Sequence, residues 1–405
     1  MRKLLSVLLA AAFVFSAAGA LSACDKQGTS DIQDKVEAAA SMTEEELIAE
    51  AAKETGNFVA YGNSSRIVDA MDGFVKKYGS QLKLSSSNTS ASKQSDTEIF
   101  TLLDTEAKSS NKSKNASMVL IQDSASLNLY RTSTDLFCNY IPSSLGDNIS
   151  EADMVPLAQQ YINKLFIWNN VGDDVPTFSN VWELTDPSYD NKIFFKSPNS
   201  EQVNMNFLIM LTSDEWSGKL EDAYLALNNN TAASDVGEGK TYKNYGYKWI
   251  TEFIANCNFT INSDTTMAQN LSKEDNAGNM GLFVLSKLRD DSVLTENLQV
   301  AAWNEGSDGK YVKIEPFAGF MYALYAQLAT YGPRPYTAML FINYLMTEEG
   351  FGPWKSLGGY SSNSSIPVTE GDSTLSFWRE NLVFEDGQYI ISVKTEVEDY
   401  INGLL

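Results

Sequence analysis

The strongest constraint on the fold of this chain is an alternation of short apolar runs with segments of helical spacing. Thr43 and Glu46 have the spacing of a capping box and predict the start of a helix. The apolar run 57–61 predicts a strand, residues 62–65 predict a turn, and apolar residues return at helical spacing from Ile67. This order of elements is typical of the start of an α/β domain.

The same order of elements continues along the chain. It favours an α/β fold class in which a mostly parallel sheet is covered by helices on both faces. The run Phe317–Leu328 carries apolar residues at helical spacing, which predicts a core helix. The chain has 405 residues, and two domains are the default expectation for this length. The other predicted elements are strands at 81–86, 117–121, 164–168, 192–195 and 281–285, and helices at 97–108 and 203–211.

The first 24 residues have the composition of an export signal. Two basic residues precede the apolar run Leu4–Ala20, which is too short and wrongly flanked to be kept as a spanning helix. The run ends in Leu21-Ser22-Ala23-Cys24, which resembles the bacterial lipoprotein box, where the cysteine is lipidated and becomes the first mature residue. The alternative is an ordinary signal with a cysteine near its cleavage site. We therefore expect a signal peptide at 1–23 and an extracytoplasmic lipoprotein that is anchored to the membrane by palmitate-type lipid on Cys24.

Charge and residue content exclude several classes of function. The formal charge is −22, and loss of the two basic signal residues would bring it to −24, so no nucleic-acid partner is expected. The chain has no histidine, which excludes histidine-dependent nucleophilic catalysis and zinc sites built on imidazole. Cys138 and Cys257 either form one disulfide or remain as two buried thiols, and their apolar surroundings favour the thiols. No cofactor and no metal are expected.

Four segments, in their order and spacing, resemble solute-binding proteins of ABC importers. The likeness covers most of residues 45–370 and is greatest to the group that includes ferric-iron receptors. Each motif is degenerate, so the likeness depends on all four together. The segments are Ala51-Ala52-Lys53-Glu54-Thr55-Gly56 with Phe58-Val59-Ala60-Tyr61-Gly62, Trp182-Glu183-Leu184-Thr185-Asp186-Pro187 with Lys192-Ile193, Ala338 to Met346 with Thr347-Glu348-Glu349-Gly350, and Ser356-Leu357-Gly358-Gly359-Tyr360 with Pro367.

This resemblance implies a two-lobed periplasmic-binding-protein fold, type II like, with a ligand cleft between lobes joined by crossing strands. The first lobe is expected to contain residues 43–142 plus 292–335, and the second lobe residues 143–291 plus 336–405. Residues 24–42 are polar and small in composition, and they predict a flexible tether between the lipid and the folded body. The resemblance also implies a monomer whose partners are a small-molecule solute and an ABC permease.

Three polar turns that lead into helices are the best candidates for the ligand site. Ligands of open α/β sheets bind beyond the carboxyl ends of strands, where helix N-termini present free N–H groups. The alternative role of each turn is that of an ordinary helix cap. The alternative for Arg66 is that its side chain lies on a solvated face of the helix. Two further candidates lie in the apolar segment 317–328. The candidate residues are Asn63, Ser64, Ser65 and Arg66, then Gln122 and Asp123, then Asn199, Ser200 and Glu201, and finally Gly319 and Tyr322.

The ligand itself is only partly constrained. Ferric receptors carry adjacent tyrosines at the place where this chain reads Val284-Leu285-Ser286-Lys287, and no histidine is present, so iron is disfavoured. A sugar, a sugar phosphate or another organic solute suits the residues better. An anionic solute would use Arg66 and the helix ends. A neutral sugar would use a cluster of aromatic residues, which are Tyr242, Tyr245, Tyr247 and Trp249. The alternative role of this cluster is to pack against a sheet edge.

The expected function is delivery of a small organic solute to an ABC import permease, without enzymatic activity. A sensor lipoprotein of the same fold, which presents its solute to a membrane receptor, is the alternative. An extracellular hydrolase is less favoured because no two acids stand out as a catalytic pair, and Asp290 with Asp291 is typical of a solvated face. The sequence leaves open the solute, the choice between transport and sensing, and the type of cell envelope.

Replacing Cys24 by serine tests the lipid anchor. The Cys24→Ser protein lacks the thiol that would carry lipid, so we expect it to move from the membrane fraction to the soluble extracytoplasmic fraction. Cell fractionation with immunoblotting measures this shift, and Cys257→Ser, far from the signal, serves as the control that stays with the membrane. A Cys24→Ser protein that remains in the membrane fraction would contradict the lipoprotein prediction.

Overall fold

A computed structural model describes residues 27–172, 178–301 and 313–405. The described residues form one mixed sheet of twelve strands with helices packed on it, which confirms the predicted α/β class. The strands are β1 (Phe58–Gly62), β2 (Thr89–Lys93), β3 (Met118–Ile121), β4 (Phe137–Cys138), β5 (Ala158–Asn169), β6 (Ile193–Phe195), β7 (Cys257–Asn258), β8 (Met280–Val284), β9 (Leu298–Val300), β10 (Gly319–Ala329), β11 (Gly359–Ser361) and β12 (Val383–Phe384).

The helices begin largely where the sequence predicts. The capping box is present as expected: the Glu46 N–H donates to Thr43 Oγ1 at 3.2 Å, and the Thr43 N–H donates to the Glu46 carboxylate at 2.9 Å. The α-helices are α1 (Gln27–Ala39), α2 (Glu44–Ala51), α3 (Arg66–Leu82), α4 (Asp96–Ala107), α5 (Ser124–Ser133), α6 (Gln202–Met210), α7 (Asp214–Leu227), α8 (Tyr245–Asn256), α9 (Asp264–Leu271), α10 (Pro335–Leu345), α11 (Glu348–Phe351), α12 (Leu375–Asn381) and α13 (Gly387–Asn402).

Two long strands join two parallel half-sheets. The main strand order is β2-β1-β3-β10-β5-β8-β6-β7. On one side β1 runs parallel to β2 and β3, and on the other β6 runs parallel to β7 and β8. Between them β5 and β10 pair antiparallel, and each also pairs with the nearest strand of one half-sheet. Each half-sheet is the centre of one lobe, so the prediction of two α/β lobes joined by crossing strands is confirmed.

Two predicted elements are wrong. The segment 317–328 was expected to be helical, but residues Gly319–Ala329 form the crossing strand β10. Both faces of β10 are covered, so its apolar residues do not alternate with polar ones, and periodicity alone does not separate such a strand from a buried helix. The strand predicted at 81–86 is also wrong, because α3 continues to Leu82, whose side chain is fully buried, and the strand β2 follows later.

The two lobes have separate hydrophobic cores, and these cores correct the predicted lobe boundaries. In the first lobe Phe341 of α10 contacts Phe58 and Phe74, with ring centroids 5.5 and 5.0 Å apart. The buried residues of 338–354 therefore belong to the first lobe, whereas 336–405 was predicted as second-lobe chain. Conversely, buried residues of 293–301 and 314–323 pack into the second core. The reason is that β10 ends inside the first lobe, so the helix that follows it folds onto that lobe.

The predicted tether is largely a helix. Residues 24–42 were expected to be an unstructured linker, but α1 covers Gln27–Ala39 and packs against α10. Ile32 and Ala39 lie seven residues apart on one face of α1, and both are buried in the first core. The predicted signal peptide and Cys24 lie outside the described residues. Within the described ranges, no helix has both the length and the apolar character needed to cross a membrane.

A glycine substitution tests the close approach of the two crossing strands. Gly319 has φ +149°, and a Cβ at this position would collide with the carbonyl oxygen of Lys164 on β5. We expect Gly319→Ala to lower the free energy of unfolding by at least about 2 kcal/mol in urea denaturation. Gly218→Ala is the control, because Gly218 lies in α7 with no atom within 4 Å of the added Cβ. This control should gain about 0.5–1 kcal/mol, and equal effects of the two changes would contradict the role of Gly319.

Candidate ligand-binding site

A cleft of about 980 Å³ lies between the lobes, at the carboxyl ends of the parallel strands. Five helices start at this edge, each after one strand: α3 after β1, α4 after β2, α5 after β3, α6 after β6 and α9 after β7. The crossing strands β5 and β10 form its floor through Gln160, Ile162, Tyr322 and Leu324. The cleft therefore combines helix N-termini from both lobes with side chains from the strands that join them.

Eight of the eleven predicted site residues line this cleft, and three do not. The Asp123 carboxylate instead caps α5 by accepting the Ser126 N–H at 3.0 Å. Asn199 is exposed on its turn, outside the cleft wall. Gly319 is enclosed between the crossing strands, where its role is to allow their close approach. Ligand contact by the other eight stays a prediction; they are Asn63, Ser64, Ser65, Arg66, Gln122, Ser200, Glu201 and Tyr322.

The N-terminus of α3 forms the centre of the first-lobe wall. Ser65 occupies the N-cap position and makes no side-chain hydrogen bond to the helix. Ser64 Oγ accepts the N–H of Arg66 at 3.3 Å, and the backbone carbonyls of Ser64 and Ser65 accept the N–H groups of Ile67 and Val68 at 3.2 and 2.9 Å. The partial positive charge of the helix end favours an anionic group at this place.

Asp96 connects the three turns of the first-lobe wall. Its carboxylate accepts the side-chain amide of Asn63 at 2.8 Å and the backbone N–H groups of Gln122 and Asp123 at 3.2 Å each. Burial is the largest influence on this group and raises the pKa of Asp96 to about 7. Asp96 therefore holds the turns after β1 and β3 in place through these three hydrogen bonds.

A buried lysine organises the second-lobe wall. Lys164 of β5 is fully buried, and its ammonium donates to Glu201 at 2.5 Å and to Asn204 at 3.0 Å, with Asp264 at 3.5 Å. Burial alone would lower the pKa of Lys164, but Asp264 and Glu201 outweigh it and hold the ammonium form. Burial would likewise raise the pKa of Glu201, whereas Lys164 and Lys196 bring it below its usual value. Glu201 thus already has two cationic partners.

Several buried polar atoms in the cleft wall have no hydrogen-bond partner among the described residues. Proteins pair nearly all such atoms, so an unpaired group that faces a cleft indicates a partner from outside the chain. Gln160 has neither end of its amide paired, although the residue is fully buried. The others offer both donors and acceptors; they are Asn63 Oδ1, Asp264 Oδ1 and Trp354 Nε1.

Sequence reasoning missed Lys164, Gln160 and Trp354 because each depends on the crossing-strand geometry. A lysine beside an apolar strand run was a usable signal for a buried ion pair, since an unpaired lysine is almost never fully buried. Gln160 lies six residues before the predicted strand core at Phe166, and Trp354 follows α11 in a single turn of 3₁₀ helix. No local pattern placed these two residues near the turn that begins at Asn63.

Other groups considered from the sequence take no part in the cleft. Tyr245, Tyr247 and Trp249 are buried in the second core, which agrees with the packing alternative for the aromatic cluster. Cys138 and Cys257 are free thiols, which confirms the favoured alternative to a disulfide, but only Cys138 is buried as predicted, and Cys257 is half-buried. In the described part of the chain, no group of three or more cysteine, aspartate or glutamate side chains is arranged to hold a metal ion.

Comparison of the sequence with protein-family models and with curated proteins finds no match. Solved structures do match, and they share the two-lobed periplasmic-binding-protein fold. A Trichodesmium protein (IdiA, FutA), solved with iron and citrate, has 12% identity and a TM-score of 0.59 over 86% of this chain and 99% of its own. The apo ferric ion-binding protein A of Pasteurella haemolytica has 12% identity and a TM-score of 0.59, over 86% of this chain and 98% of its own. An ABC transporter structure from Clostridium perfringens has 11% identity and a TM-score of 0.56, over 86% and 98%.

Two neighbouring glutamines on β5 test whether the unpaired amide of Gln160 destabilises the empty protein. Gln159 and Gln160 are both fully buried, and both amides lack partners, but only Gln160 lines the cleft. Methionine keeps the length of the side chain and removes the polar atoms. We expect Gln160→Met and Gln159→Met each to raise the free energy of unfolding by about 1 kcal/mol, measured by urea denaturation without ligand. A loss of stability in both variants would show that these amides are satisfied.

Proposed function

We propose that this chain is the lipid-anchored, extracytoplasmic solute-binding protein of an ABC importer and that it delivers a small organic solute to the permease. The observation that carries the proposal is the cleft between the lobes, with its buried but unpaired polar atoms. The same two-lobed fold occurs in structures described as ferric ion-binding and ABC transporter proteins. The two crossing strands would let the lobes close on the solute.

The side chains of the cleft favour an organic solute over a ferric ion. Tyr322 is the one tyrosine of the cleft wall among the described residues, and burial raises its pKa well above the usual value. Iron binds phenolate, so this raised pKa disfavours Tyr322 as a ligand. After β8, Ser286 and Lys287 face the cleft, and an ammonium group would repel a ferric ion.

Hydrolysis is disfavoured because the buried acids of the cleft have structural partners. Glycoside hydrolysis needs two carboxyl groups that are free to transfer a proton and to attack or to activate water. Asp96 accepts three N–H groups, and Glu201 pairs with Lys164 and Lys196. A sensor of the same fold would bind its solute in the same way, and the difference would lie in the membrane partner.

A thermal-shift screen tests the proposed function. The purified protein is heated with sugars, sugar phosphates, carboxylic acids, polyamines and ferric salts. A ligand at 100 times its Kd adds about 2.7 kcal/mol to folding stability, which corresponds to a rise in Tm of roughly 5 °C for a chain of this size. We expect at least one organic solute to produce such a rise, and labelled uptake in cells with and without the protein then separates transport from sensing.

The glutamine pair provides the control that places binding in the cleft. Gln160→Met is expected to reduce the ligand-induced rise in Tm, because it removes a hydrogen-bonding side chain of the cleft floor. Gln159→Met changes the same residue type outside the cleft wall and should keep the full rise. Equal ligand responses of the two variants would contradict the cleft as the site, and a response to ferric salt alone would contradict an organic solute.

A further inference from the structure

Four cationic side chains of the cleft wall have no carboxylate partner within salt-bridge distance among the described residues. Arg66 at the start of α3 and Lys93 at the end of β2 belong to the first lobe. Lys287 and Arg289 follow β8 in the second lobe. Arg66 and Lys287 are half-buried, and Lys93 and Arg289 are exposed. Each lobe therefore contributes one half-buried and one exposed cation to the same cleft.

The four cations are close enough to affect one another. Burial lowers the pKa of Arg66, and Arg289 across the cleft lowers it further. Burial also lowers the pKa of Lys287, and Arg66, Arg289 and Lys93 add to that effect while Asp264 opposes it. Like charges that face each other across a partly dehydrated cleft are unfavourable unless an anion lies between them.

None of the acids of the cleft wall forms a salt bridge with these four cations in the described part of the chain. Glu201 and Asp264 face the buried ammonium of Lys164. Asp96 is largely engaged by N–H donors, and Glu98 is held in the capping box of α4 by Ser95, at 2.8 Å. Asp69, on the exposed face of the first turn of α3, is the remaining acid of the cleft wall. The four cations thus exceed the acids that are free to pair with them, in a chain whose formal charge is −22.

We infer that the solute carries at least two negative charges, on phosphate or carboxylate groups, which bind between the cations of the first lobe and those of the second. This inference rests on the proposed function and names the chemical class of its ligand. Arg66 lies at the N-terminus of α3, so its guanidinium and the partial positive charge of the helix end act on the same anionic group. The four cations are Arg66, Lys93, Lys287 and Arg289.

The solute also has an uncharged polar part. The cleft holds about 980 Å³, which is at the upper end of pockets that bind small organic molecules and far exceeds the need of one inorganic anion. Gln160 and Trp354 line this space, and the Gln160 amide and the Trp354 indole N–H have no partner among the described residues. They can pair with hydroxyl or carbonyl groups of the solute while the cations hold its charged end.

Isothermal titration with glucose 6-phosphate, citrate and glucose tests the charge of the solute. The first two carry two or more negative charges and separate phosphate from carboxylate, and glucose is the neutral counterpart. We expect at least one of the two anions to bind more tightly than glucose, with an affinity that falls as ionic strength rises. Weaker or equal binding of both anions relative to glucose would overturn the inference.

Charge-removing variants locate the interaction. Arg66→Gln and Lys287→Gln remove one half-buried cation from each lobe, and each is expected to weaken binding of the tighter anion by at least about tenfold. Lys76→Gln removes the same charge from an exposed position on α3 outside the cleft and should leave affinity unchanged. Losses in the cleft variants that match the control would overturn the inference. Gln160-dependent binding of a neutral solute would overturn it too, while the proposed function would stand.

Discussion

The antiparallel pairing of β5 with β10 is the constraint on which the rest of the structure depends. It joins the two half-sheets, and each strand continues into one lobe. Gly319 lets the two backbones approach closely beside Lys164, where any other residue would collide with a carbonyl oxygen. The same pair also provides the floor of the cleft, with Gln160 and Tyr322 facing the space between the lobes. Architecture and binding surface thus depend on the same two strands.

Lys164 shows how this pairing determines the electrostatics of the second lobe. A buried ammonium has a large desolvation cost, and it is tolerated only when carboxylates and hydrogen-bond acceptors surround it. Glu201 and Asn204 lie at the start of α6, and Asp264 lies at the start of α9. One charge on the crossing strand therefore positions two helix N-termini and engages the acids beside them. Arg66 and Lys93 of the first lobe, and Lys287 and Arg289 of the second, consequently remain available to a ligand.

Much of the first-lobe wall could be predicted from sequence because its signals are local. A strand, a polar turn and a helix follow one another within about ten residues at Asn63, and the ends of parallel strands share one edge of a sheet. The capping box at Thr43 has the same local character. The prediction for β10 failed because burial on both faces removed the alternation of apolar and polar residues. The prediction for α1 failed because this helix has few apolar residues among many polar ones. Gln160 and Trp354 were missed because only chain crossings bring them to the cleft.

The sequence by itself determined the α/β class and the turns at which helices begin, since these follow from periodicity, capping and the order of elements, and the two-lobed architecture was implied by the resemblance to solute-binding proteins. It also excluded chemistry that needs histidine, because that is a matter of composition. Only the tertiary structure decided which chain segments form each lobe, which acids are engaged by partners and which cations remain unpaired. The physical reason is that burial and charge pairing depend on residues far apart in sequence, such as Lys164 with Asp264, or Arg66 facing Arg289.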